Sequence, residues 1–185
     1  MTVQPNPVLR KLGLADTDRA VIIHVDDLGA YQSALPAYAE LLDFGLISSG
    51  AVMTPCPWFP AVAAFCREQP QADVGLHATL NSEWTVCRWG PVSTRDAATG
   101  LLDDEGYFHQ WPPATYACAD PAAVGVELEA QVQMARKAGI NLTHVDTHMG
   151  TSTHAKFRSY HIQTALKYGL PPMIVLRGDE AIYRR

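Results

Sequence analysis

The stretch Val21-Ile22-Ile23-His24-Val25-Asp26-Asp27-Leu28-Gly29 decides the fold class. Its β-branched run at 21–25 reads as a strand, and two aspartates followed by Leu-Gly end it in a turn. From Ser33 to Phe44, residues Leu35, Tyr38, Ala39, Leu41 and Leu42 recur at helical spacing, with Gly45 as a C-terminal stop. Ser49–Met53 is a second strand, halted by Thr54-Pro55-Cys56-Pro57, and Phe59–Gln69 is a helix that ends before Pro70. Ala72–Leu80 is the third strand. Asp120–Ala138 is the plainest helix, with Asp120 as N-cap, Pro121 in the first turn and Gly139 past the end. Asn141–Thr147 follows as a fourth strand, 155–168 as a helix closed by Gly169, and Met173–Leu176 as a fifth strand.

Strands and helices alternating in this way predict an α/β fold with a mostly parallel sheet. A complete (β/α)₈ barrel takes about 250 residues. The 185 residues supply some five βα units, so the expectation is an incomplete (β/α) barrel or an open sheet, formed as a single domain. Residues 1–19 read as an arm leading into the first strand. The segment 81–119 is long, irregular and rich in Trp and Pro, and loops of that length are usually functional or mobile. Five units would also leave the edge around 173–177 unpaired, which predicts cover by a partner chain, as in a homo-oligomer, or by residues absent from this sequence.

Composition removes several function classes. With 48% hydrophobic and 18% charged residues the chain has material for a core and is not of the disordered kind. Fourteen Lys and Arg against nineteen Asp and Glu, a net charge of −5, give no basic surface for nucleic acid. No apolar run is long enough to span a membrane. The first residues lack the basic, apolar and small-residue order of a secretory signal, so the expected location is cytoplasmic. The four cysteines form no C-x-x-C pair, and Cys56 and Cys66 read as buried free thiols.

Ligands of parallel α/β folds collect outside the carboxyl ends of the strands. Strand one ends in Asp26-Asp27, strand three in His77, and strand four in Asp146-Thr147-His148. A lone aspartate there is ordinarily a cap, and a lone histidine a packed side chain; three strand ends that coincide make a site. One carboxylate with two imidazoles suits a catalytic divalent ion with open positions, and a second carboxylate beside it serves as a base.

His24-Val25-Asp26-Asp27-Leu28-Gly29 resembles the H-A-D-D-F-G motif of the YdjC-like carbohydrate deacetylases. Val74–Leu80 is similar to that family's G-L-H-x-T-L segment, and Thr143–His148 to its T-H-x-D-S-H segment. The resemblance covers residues 20–180 and implies a distorted (β/α) barrel, a bound divalent cation (magnesium or zinc), and hydrolysis of an N-acetyl group on a sugar or short oligosaccharide. Carried over by position, Asp26 is the general base, and Asp27, His77 and His148 are the metal ligands. Two departures stand out. His148 is followed by Met149-Gly150-Thr151-Ser152 rather than by further histidines, and the family's C-terminal His-Pro-Gly segment, credited with the acid role, is absent. The resemblance therefore implies a domain that lacks the family's C-terminal portion. The same ligand set also serves other small amides or phosphoesters, or a ligand-binding remnant of the fold.

Strand geometry separates the two histidines of the last motif. At about 3.3 Å per residue, His144 and His148 lie roughly 13 Å apart on one strand, too far to share an ion. His148, at the carboxyl end, is then the ligand. Asp146 orients an imidazole from beside it, and His144 sits deeper in a supporting role. Arg177, at the end of the fifth strand, reads either as a contact to substrate or Asp26 or as a solvent-facing arginine. Trp84, Trp89, Tyr107 and Trp111 either stack on sugar faces or pin the long loop.

Overall fold

A computed structural model describes residues 7–174. The chain runs α1 (Pro7–Lys11), β1 (His24–Leu28), α2 (Ala34–Asp43), β2 (Ser49–Val52), α3 (Phe59–Glu68), β3 (Val74–Ala78), α4 (Pro112–Cys118), α5 (Pro121–Lys137), β4 (Val145–Thr147) and α6 (Arg158–Lys167). The four strands are parallel and adjacent in chain order, β1-β2-β3-β4, in one open sheet. This is the expected α/β architecture with a parallel sheet that does not close. Pro172 bridges Val145, and the Met173 N–H donates to the Val145 carbonyl at 2.7 Å. The rest of the expected fifth strand, residues 175–177 of its edge with Arg177, lies outside the described residues.

Alternation along each strand divides the sheet into two unlike faces. Val74, Leu76 and Ala78 of β3 are buried with Leu28, Val52 and Val145 in the core, under Val62 and Cys66 of α3 and Val124, Leu128 and Val132 of α5. The buried positions of α3 (Phe59, Val62, Ala63, Cys66) fall on one stripe at i, i+3, i+4 and i+7. Asp120 caps α5 as its sequence predicts, its Oδ1 accepting from the Ala122 N–H at 2.9 Å. Gly50 is dictated by packing: a Cβ there would stand 2.8 Å from both Leu28 Cδ1 and Tyr38 Cε2. On the other face His24, Asp26, Ser49, His77, His144 and Asp146 border an open cavity of about 850 Å³.

Several bounds differ from the sequence reading; the fourth strand, expected over Asn141–Thr147, is only Val145–Thr147. The ladder begins at His24 rather than Val21, since β2 starts at Ser49 and pairs with His24; Val21 and Ile22 are exposed. The irregular segment contains α4, with Pro112 and Pro113 in its first turn, and a hairpin-like bridge between Leu102 and Phe108. It is tied down by buried polar groups. Glu127 of α5 accepts from the Val92 and Ser93 N–H groups at 3.1 and 2.8 Å, and Asn81 receives the Trp89 Nε1–H on its carbonyl at 2.7 Å. Among the described residues no helix is long and apolar enough to cross a membrane.

Candidate functional site

A bulge in β1 brings both aspartates to the site. Val25 pairs with Gly50 and Leu28 with Val52, so three steps on β1 face two on β2. The extra residue is absorbed at Asp27, whose φ of 61° lies in the left-handed region that a non-glycine residue rarely adopts. Strain of this kind persists where the surroundings over-determine it. Here it turns the Asp27 carboxylate onto two imidazoles: His77 Nε2 is 3.2 Å and His148 Nδ1 3.0 Å from Asp27 Oδ1. His148 stands just past β4, at the start of a 3₁₀ turn (His148–Thr153) that Met149 and Gly150 kink with φ of 54° and 70°.

Each imidazole is held from behind by a second carboxylate. Carboxylates only accept, so the ring nitrogens donate: His77 Nδ1–H to Asp146 Oδ1 at 2.7 Å, and His148 Nε2–H to Glu83 Oε2 at 2.9 Å. Asp146 also receives His24 Nε2–H at 2.9 Å on its other oxygen. The Asn81 side chain accepts from Thr151 Oγ1–H at 2.5 Å, which fixes the turn carrying His148 against the segment carrying Glu83.

The electrostatics follow from this crowding. Burial opposes ionisation of Asp27 and Asp146, but hydrogen bonds from His148 and His77, and from His24 and His77, outweigh it and hold both carboxyls well below their ordinary range. Burial likewise opposes charge on His77, yet Asp146 and Asp27 raise its pKa to about 10. His148 is raised against the same penalty by Asp27 and Glu83, and Glu83 is lowered by His148. In the metal-free protein these carboxylates thus favour the charged form of both imidazoles that face Asp27.

The donor set fits such a cation. With bonds of about 2.1 Å, two ligand atoms stand about 3.0 Å apart at a right angle and about 3.4 Å apart at the tetrahedral angle. The Asp27–His148 and Asp27–His77 separations of 3.0 and 3.2 Å fall in that interval. A carboxylate behind each imidazole is the usual support of a metal-ligating histidine. The sequence singled out Asp27, His77 and His148, and the fold brings these three together within 4.8 Å. Asp26 stands beside them, its side chain 63% exposed, with Oδ1 3.4 Å from His24 Nε2. Asp146 contacts His77 as expected. His144 lies away from Asp27, over Gly75 of β3, and is less buried than His148 although the sequence reading put it deeper. Glu83 and His24 were missed as site residues. Glu83 follows the end of the strand-three motif in an aperiodic segment, whereas His24 opens the first motif and faces the same way as Asp26.

The family described as YdjC-like protein matches residues 20–184. The chain belongs to the YdjC-like family. It is 33% identical over 167 residues to a carbohydrate deacetylase of Thermus thermophilus, covering 90% of this chain and 57% of that protein. To the carbohydrate deacetylase of Thermoanaerobacter pseudethanolicus it is 27% identical over 151 residues, 82% of this chain and 58% of that one. This YdjC-like chain thus spans less than three-fifths of the length of these relatives. A solved structure from Enterococcus faecalis, described as a putative cellobiose-phosphate cleavage protein, superposes with a TM-score of 0.76 at 26% identity over 86% of this chain and 60% of that one.

Proposed function

We propose that this YdjC-like chain carries the catalytic site of a metal-dependent hydrolase that removes the N-acetyl group from an acetylated sugar or short oligosaccharide. The observation that carries the reading is the Asp27 carboxylate flanked by two carboxylate-backed imidazoles, with an exposed second aspartate beside it. The names of the relatives from Thermus and Thermoanaerobacter support the bond and the substrate class.

In this reading Asp27, His77 and His148 hold a divalent cation, magnesium or zinc. When bound there, such an ion would supply Lewis acidity toward an acetyl carbonyl and a lowered pKa for a water. Asp26 is the general base. It is exposed enough to meet a water, and its direct neighbour Asp27, pinned by two imidazoles, is not free to do so. Asp146 and Glu83 aim the two rings. Trp84 follows Glu83 directly, packs edge-on against Tyr31 with centroids 5.7 Å apart and stays half exposed, which gives a sugar ring a flat apolar face at the rim.

Acetate release from N-acetylglucosamine oligomers tests the proposal. Release is expected to stop after chelation and to return with added magnesium or zinc. Release untouched by chelation would remove the metal from the mechanism, and no release from any acetylated sugar would remove the activity.

A further inference from the structure

We propose a second metal site, on the inner face of the sheet, formed by His24, His144 and Asp146 and suited to zinc. It stands on its own imidazoles and shares only Asp146 with the site proposed above. One ring nitrogen of each histidine and a carboxylate oxygen of Asp146 lie within 4.8 Å of one another. His24 Nε2 and Asp146 Oδ2 are 2.9 Å apart, close to the roughly 3.0 Å edge that two donors make around one ion at a right angle. The His144 ring stands edge-on to His24, centroids 5.1 Å apart.

Three further features give this cluster the build of a site. First, both rings are anchored through Nδ1, His24 by Ser49 Oγ at 2.6 Å and His144 by Thr143 Oγ1 at 2.8 Å, which leaves each Nε2 as the metal-facing atom. Second, β3 carries glycine where His144 lies: a Cβ on Gly75 would overlap Cδ2, Nε2 and Cε1 of that ring, so the strand is bare at the one place the imidazole needs. Third, the cluster opens on the cavity of about 850 Å³, which admits an ion and leaves room for water in the remaining coordination positions. Two imidazoles with one carboxylate suit zinc, whereas magnesium prefers oxygen donors. Asp146 can serve both sites at once, because Oδ1 takes the His77 Nδ1–H and Oδ2 faces His24. The inner ion therefore acts on the orientation of His77 through one carboxylate.

Equilibrium dialysis of the chain against zinc, followed by elemental analysis, counts the sites. The wild type is expected to hold two zinc ions per chain, and His144→Ala and His24→Gln one each, with His148→Ala also losing one. A wild-type chain that holds no zinc, or one ion that both His144→Ala and His24→Gln retain, overturns the inner site. So does retention of two ions by both His144→Ala and His24→Gln. If instead His148→Ala keeps two ions while His144→Ala drops to one, the inner site stands and the Asp27–His77–His148 assignment falls.

Discussion

The two faces of this sheet are built from alternate residues of the same strands and do opposite work. Toward the helices β3 presents Val74, Leu76 and Ala78, all buried in the apolar core; on the other face it presents His77 to the cavity and Gly75 beneath the His144 ring. β1 divides in the same way, with Val25 and Leu28 packed and His24 and Asp26 at the cavity. The apolar face is satisfied by burial alone. The polar face is satisfied by charge pairing, and Asp27, one of two left-handed non-glycine residues among the described ones, sits where the two arrangements meet at the strand end. A substitution on one face should therefore change stability, and its neighbour on the other should change ligand binding.

Adjacent residues of β3 give the sharpest separation. Leu76→Ala is expected to lower stability by about 2–5 kcal/mol, the usual cost of a buried leucine, while the folded fraction still binds metal. His77→Ala is expected to remove metal binding at the Asp27 site and acetate release, with a smaller loss of stability. Denaturant melts read beside metal binding check both, and a Leu76→Ala protein that folds normally but binds no metal would break the division between the faces.

A smaller effect is expected at Glu83, which touches the site only through His148 Nε2. Glu83→Gln should weaken metal affinity about 10–100-fold, the range found for outer partners of metal-ligating histidines, with the fold intact. Calorimetric titration measures it, and an unchanged affinity would show that His148 is aimed by the turn alone.

The least effect concerns pH in the metal-free protein. Asp146 is depressed in the folded state, so its contribution is present above the unfolded carboxyl value near 3.9 and is lost as pH falls through it. His77 is raised to about 10, so its contribution is complete below the unfolded value and declines as pH climbs toward that number. The stability advantage of wild type over Asp146→Asn should then peak at roughly pH 5–6 and shrink on both sides. An advantage independent of pH would mean that Asp146 acts by packing rather than by charge.

Much of this was legible in the sequence because it depends on local pattern. The β-branched and apolar runs marked all four strands, the 3.6-residue spacing marked α2 and α3, and Asp120-Pro121 with Gly139 bounded α5. The three strand ends pointed to Asp26-Asp27, His77 and Asp146-Thr147-His148, and the family resemblance implied Asp27, His77 and His148 among them, which the fold brings together. What stayed hidden depends on contacts between distant segments. Glu83 sits in a stretch with no periodicity, and only the packing of Asn81 against Thr151 shows that it must face His148. The left-handed turn at Asp27 follows from the register of β1 on β2, which no single segment encodes. His144 looked deep because strand position was the only guide. The bare glycine on the neighbouring strand, which makes its place, becomes visible only when β3 and β4 are paired.

The central claim is that the two consecutive aspartates at the end of β1 have different jobs, Asp27 holding metal and Asp26 moving a proton. Metal titration and acetate release measured side by side on Asp26→Asn and Asp27→Ala test it most directly. Asp26→Asn is expected to bind metal as the wild type does and to release no acetate, and Asp27→Ala to lose the metal bound with His77 and His148. Equal loss of that metal in both variants, or undiminished acetate release by Asp26→Asn, would contradict the account.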